Sequence, residues 1–185
     1  MSKPEIEEFL KGKGDFVRMD HLSRFLDEKG LPADRKKFVY QKLIEIYEQK
    51  GMFGDVAKMY RNIAIISIAF SEKIKNHVKE AEFYVKSGFF EDADAAVKKA
   101  MGESNASQKA EISFVIKEFY KKQAEVYEKE RRRANASKIY EKLLQMKISE
   151  GEREEIKKKL MDLYEKLGRI KEYFILKEGK FDRKV

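Results

Sequence analysis

Apolar side chains recur along this chain at the 3.6-residue spacing of amphipathic helices. Little interrupts them: 185 residues contain two prolines, Pro4 and Pro32, and ten glycines. The pattern predicts helix almost throughout, with breaks at short glycine-bearing or polar segments. The run "KAEISFVIKEFYKKQAEVYEKE" reads as one long amphipathic helix. The most apolar run, Ile63 to Phe70, is too short to span a bilayer and reads as a buried helix.

The pattern also repeats. Glycines stand at 14, 51, 88 and 168, and Arg131 takes the corresponding place between the last two, giving spacings of 37, 37, 43 and 37 residues. Neighbouring positions keep step with these hinges. Four residues before them stand Leu10, Tyr47, Tyr84, Tyr127 and Tyr164. Two after stand Phe16, Phe53, Phe90, Arg133 and Ile170. Five after come Met19, Val56, Ala93, Ala136 and Tyr173, and twelve after come Leu26, Ile63, Ala100, Leu143 and Lys180. Each unit therefore reads as helix, tight turn, helix. Glycine suits the hinge because helices often end on a left-handed residue. The aromatic two residues past the hinge is expected to fold back on the preceding tyrosine. The small residue five past it marks the closest approach of the two helices.

Caps and breaks give the same map. Ser2 before Pro4 suits a helix start, Asp34 is a candidate N-cap after "KGLP", and Ser149 is another. "GESNASQ", Gly102 to Gln108, reads either as a loop or as the start of a longer helix. The units fall at about 1–33, 34–71, 72–103, 108–148 and 149–185, with no domain boundary between them, so residues 1–185 read as one domain.

The third unit, with His77, Ala81, Tyr84, Gly88, Phe90, Ala93, Val97 and Ala100, resembles the tetratricopeptide repeat. The second offers Tyr40, Leu43, Tyr47, Gly51, Phe53, Val56, Tyr60 and Ile63. The fourth offers Tyr120, Ala124, Tyr127, Ala136, Tyr140 and Leu143. The period departs from the family's 34 residues, Arg131 replaces a glycine, and the terminal units are degenerate. The resemblance implies an all-α fold: a right-handed α-solenoid of about five antiparallel helix hairpins, in which the first helix of each pair lines a concave, peptide-binding groove. The lysine and asparagine clamp with which some members hold a terminal carboxylate is not matched, since Gln41, Glu45, Val78 and Glu82 occupy its places.

Composition narrows the chemistry. The absence of cysteine excludes disulfides, thiolate catalysis and cysteine-based zinc sites. His21 and His77 are the only histidines, and His77 occupies a packing position of the repeat. "GKG" at 12–14 lacks the spacing of a phosphate loop. Acidic residues stand among lysines, as solvated helix faces require. The expectation is a protein that is not an enzyme and has no cofactor and no metal. The charged N-terminus does not read as a secretory signal, which sets the expected location as cytoplasmic, with no membrane association.

Six residues before each hinge the sequence is acidic five times: Glu8, Glu45, Glu82, Glu125 and Asp162. On a groove this row favours a basic protein or peptide partner; on a solvated face it forms intrahelical ion pairs. The ±4 neighbours of Glu45 and Glu82 offer fewer lysines than those of Glu125 and Asp162, so the acidic character is expected to be clearest in the N-terminal half. The formal net charge is +8, and residues 112–185 hold 21 Lys and Arg against 14 Asp and Glu, with "KERRRANASK" at a turn. That half supplies the alternative, nucleic-acid binding. "EYFILK" places Tyr173 and Phe174 in a run of four apolar residues, a candidate surface for self-association or docking unless the tail folds over it. The reading favoured on these grounds is an interaction module whose partner is a protein.

Overall fold

The computed structural model describes residues 2–179. Among them the chain is all-helical: α1 (Lys3–Leu10), α2 (Asp15–Asp27), α3 (Ala33–Gln49), α4 (Phe53–Ile66), α5 (Phe70–Ser87), α6 (Phe90–Gly102), α7 (Ala106–Lys129), α8 (Arg133–Gln145), α9 (Glu150–Lys166) and α10 (Ile170–Lys177). Contacts divide the chain into two compact units, residues 1–112 and 113–185, and the division falls inside α7. The sequence places no boundary there because its helical pattern runs through the division without a break.

Four of the turns share one construction. Gly51, Gly88, Arg131 and Gly168 all have positive φ, between 58° and 84°. In each, the following residue donates its N–H to the carbonyl of the hinge-minus-four tyrosine: Met52 to Tyr47 (2.9 Å), Phe89 to Tyr84 (2.9 Å), Arg132 to Tyr127 (2.8 Å) and Arg169 to Tyr164 (2.8 Å). The hinge N–H bonds the carbonyl three residues back each time. This is the Schellman C-cap, which satisfies the last carbonyls of the helix.

That geometry corrects two expectations. The side chain lying on the tyrosine is one residue past the hinge, not two. Phe89 meets Tyr84 edge-on at 6.4 Å, and Arg132 and Arg169 stack over Tyr127 and Tyr164 at 4.3 and 4.7 Å. The residues two past the hinge instead open the next helix, and Phe53 packs against Phe83 of α5. In the first turn the left-handed residue is Gly12, φ 71°, whereas Gly14 is the extended N-cap of α2.

In residues 1–112 each of α3 to α6 packs on the helix before it. One core joins Ile6 and Leu10 of α1, Leu22 of α2, and Val39, Leu43 and Ile46 of α3. A second joins α4, α5 and α6. There the expected small contact residues Val56 and Ala93 are fully buried, and Tyr60 stacks on Phe83 at 5.5 Å. Ile63 to Phe70 is not one buried helix: α4 ends at Ile66, and while Ile63 and Ala64 are buried, Ile68 is 91% exposed. In residues 113–185, α9 packs on α8 and α10 on α9. Tyr127, Ala136, Leu143, Leu160 and Tyr164 are buried here.

Three helix starts, those of α1, α7 and α9, follow the capping rule. Ser2 and Ser149 make capping boxes with Glu5 and Glu152. Asn105 and Gln108 exchange the same reciprocal bonds at the start of α7, so in "GESNASQ" Gly102 closes α6, residues 103–105 connect, and Ala106 to Gln108 open a long helix. The N-cap of α3 is Pro32, and Asp34 lies in its first turn. Lys180 and the tail over 180–185 lie outside the described residues.

Candidate functional site

The five acidic positions sit on α1, α3, α5, α7 and α9, the first helix of each pair. Four pair with a lysine three or four residues away, on the same helix or at its C-cap: Glu8 with Lys11 (3.5 Å), Glu45 with Lys42 (3.4 Å), Glu82 with Lys79 (2.7 Å) and Asp162 with Lys166 (2.6 Å). Glu125 has no cation within ion-pair distance among the described residues. Its neighbour Lys121 reaches instead to Glu118 and, across the helix, to Glu152 of α9. The acidic character is thus least compensated in α7, the reverse of the expectation. That expectation weighed lysines four residues away, and Lys42 and Lys79 stand three residues upstream.

Ion pairs also join the odd-numbered helices sideways. Lys3 meets Asp34 (3.4 Å) and Glu7 meets Lys42 (3.0 Å) between α1 and α3, and Lys37 meets Glu72 (2.6 Å) between α3 and α5. Lys121 and Glu152 do the same for α7 and α9. The bond from Lys121, reinforced by the Ser149 N–H and hydroxyl, holds the Glu152 carboxyl down to about 2.

Between α7 and α9 lies an open groove, formed by two depressions that share Lys159. The first, about 120 Å3, is lined by Lys121, Glu125, Tyr140, Glu152, Glu155, Ile156 and Lys159. The second, about 290 Å3, is lined by Glu128, Arg131, Arg133, Lys159, Asp162, Leu163 and Lys166. Two of the predicted residues, Glu125 and Asp162, therefore line one surface. The three successive arginines separate by role: Arg132 covers Tyr127 and pairs with Glu130 at 3.6 Å, while Arg131 and Arg133 line the second depression. The Tyr140 hydroxyl donates to Glu128, and burial together with that carboxylate pushes its pKa up.

On α10, Leu176 is buried while Phe174 is half exposed, with the Tyr173 ring edge-on to it at 5.5 Å.

One buried ionic cluster escaped the sequence reading. Glu80 of α5 is fully buried, with its carboxylate 2.6 Å from Arg61 Nε of α4 and 2.8 Å from His77 Nδ1. Burial opposes its charge, but the hydrogen bonds from His77 and Arg61 outweigh burial and hold its pKa below the ordinary value. An acceptor-only carboxylate requires the Nδ1–H form of His77. The cluster binds α4 to α5.

No group of three or more His, Asp or Glu among the described residues could hold a metal ion, and no helix among them is long and apolar enough to cross a membrane. Comparison with protein-family models, curated proteins and solved structures finds no match.

Proposed function

We propose that this chain is a non-enzymatic protein-interaction module, a right-handed solenoid of five helix hairpins similar to tetratricopeptide repeats, and that its odd-numbered helices present the binding face. The shared Schellman geometry of four turns supports a common repeat unit. The ion pairs from α1 to α3, α3 to α5 and α7 to α9 support first helices standing side by side. The observation that carries the functional reading is the open α7–α9 groove, lined by Glu125, which has no ion-pair partner among the described residues. A carboxylate with no ion-pair partner in an open groove favours a cationic side chain, so the partner is a protein segment containing lysine or arginine. The half-exposed Phe174, with Tyr173 beside it, forms a second contact surface, between copies of the chain.

Titration calorimetry with a short synthetic peptide of alternating arginine and serine tests the groove. Glu125→Lys should weaken binding by at least about tenfold, the loss of one close charge pair plus a new repulsion. Glu45→Lys with Glu82→Lys should weaken it less, because Lys42 and Lys79 already compensate those carboxylates. Helical content should be unchanged in both. Equal affinity for Glu125→Lys and the parent chain would refute the groove.

A further inference from the structure

The second depression of the groove contains charge that the interaction reading leaves unused. Asp162 takes Lys166 at 2.6 Å, and Lys159 lies 3.8 Å from Glu155. Glu128 accepts the Tyr140 hydroxyl. Arg131 and Arg133 then remain as two guanidiniums with no ion-pair partner among the described residues, both lining a depression of about 290 Å3. A guanidinium offers five donors in a planar fork that fits carboxylate and phosphate oxygens. Arg131 also stands at φ 58°, where the matching turns have glycine. The side chain thus stands at a backbone position that disfavours it.

We propose that Arg131 and Arg133 form an anion-binding subsite of the groove, and that its occupant is a phosphorylated or acidic side chain of the same partner segment whose cation meets Glu125. This rests on the proposed function and specifies the partner further. Glu125 lies near the end of α7, and Arg131 stands six positions on, in the turn two residues past Lys129. The four helical steps to Lys129 rise roughly 6 Å and the tight turn adds a few more, a span on the order of 9 Å that an extended peptide covers in about three residues. The recognised segment therefore carries a basic residue and an anionic one about three positions apart.

The surrounding charges select a peptide over nucleic acid. A nucleic-acid strand carries a phosphate at every nucleotide. With one phosphate between Arg131 and Arg133, the next ones would meet Glu128 and, further along, the unpaired Glu125, while Lys159 and Lys166 of the same lining are engaged by Glu155 and Asp162. A segment with one anion and one cation avoids that repulsion.

The arginine Nε–Hε signals of the full chain report on the site directly in nuclear magnetic resonance titrations. The probes are inorganic phosphate, a peptide with arginine and phosphoserine three residues apart, its unphosphorylated form, and single-stranded oligothymidine. Phosphate and the phosphopeptide should both move the Arg131 and Arg133 signals. The phosphopeptide should bind at least about fivefold more tightly than its unphosphorylated form, as expected for a bidentate charged contact. That advantage should vanish in Arg131→Gly/Arg133→Gln, whose glycine suits the turn and preserves the fold. Unmoved arginine signals, or an advantage that survives in the double variant, would overturn the subsite. Tighter binding of oligothymidine than of phosphopeptide would overturn the choice of partner. The two levels separate: loss of the unphosphorylated peptide in Glu125→Lys with no phosphoserine advantage defeats the subsite alone, whereas indifference of that peptide to Glu125→Lys defeats the groove reading beneath it.

Discussion

Arg131 is an ordinary L-residue held at φ 58° in a turn whose counterparts are Gly51, Gly88 and Gly168. The left-handed backbone costs a side-chain-bearing residue about 1–2 kcal/mol. Glycine removes that strain but loses more backbone freedom on folding. Arg131→Gly should therefore stabilise the chain by about 0.5–1 kcal/mol in urea unfolding, net of these two effects. Gly88→Ala should destabilise it by about 1–2 kcal/mol. Opposite signs at two positions of one motif check the turn assignment, and a destabilising Arg131→Gly would contradict it. Much of this was legible from spacing, because the tyrosine and hinge recur together and the Schellman cap links those two positions. The covering side chain was assigned one residue late, since an aromatic recurs at the helix start and a cap contact needs only bulk: Phe89 supplies it in one turn, arginines in two others. At the first turn two glycines stand two residues apart, and the repeat spacing picked Gly14 where the backbone uses Gly12.

Helices α4 and α5 are joined by a contact that no local pattern announces. Arg61 and Glu80 lie 19 residues apart, and their 2.6 Å bond depends on the rotation of each helix about its axis, which tertiary packing sets. Breaking a buried pair leaves an uncompensated charge and costs about 3–5 kcal/mol. Arg61 keeps about a third of its side chain in solvent, whereas Glu80 has none. Arg61→Met should consequently destabilise the protein more than Glu80→Gln, and thermal unfolding at neutral pH compares the two. The pH dependence has a defined sign. With the Glu80 pKa held below its ordinary value of 4.5, the charged form is favoured by folding. Its contribution is present above about pH 4.5 and is lost as pH falls through the folded-state value. Glu80→Gln should flatten the acid limb of the stability profile, and an unchanged limb would show that Glu80 does not contribute to it. The capping boxes of α1 and α9 were readable in part, since their serines stand alone before helical runs. The ion pairs of Glu45 and Glu82 were equally readable at three-residue spacing, and only the choice of four-residue neighbours hid them.

For the molecule as a whole, the sequence supported helix content and helix count well, because amphipathic period and turn chemistry agree along the chain. The division inside α7 was not legible, since it depends on packing density and leaves the helical pattern unbroken. The apolar end of α10 gives a prediction of its own: Phe174 is 50% exposed. Light scattering on the full chain should show concentration-dependent dimers that Phe174→Glu abolishes. A monomer at every concentration in the parent chain would remove that contact. The central proposal is that successive hairpins stack in one direction with their first helices in a row. The natural lack of cysteine allows spin labels to be placed at will on Glu8→Cys, Glu45→Cys, Glu82→Cys, Glu125→Cys and Asp162→Cys variants, two at a time. Neighbouring packed helices lie roughly 8–10 Å apart. Pulsed dipolar spectroscopy should therefore give distances that lengthen with each added repeat, with the pair at 8 and 162 the longest. A distance between 8 and 162 shorter than that between 45 and 125 would mean a closed bundle and contradict the account.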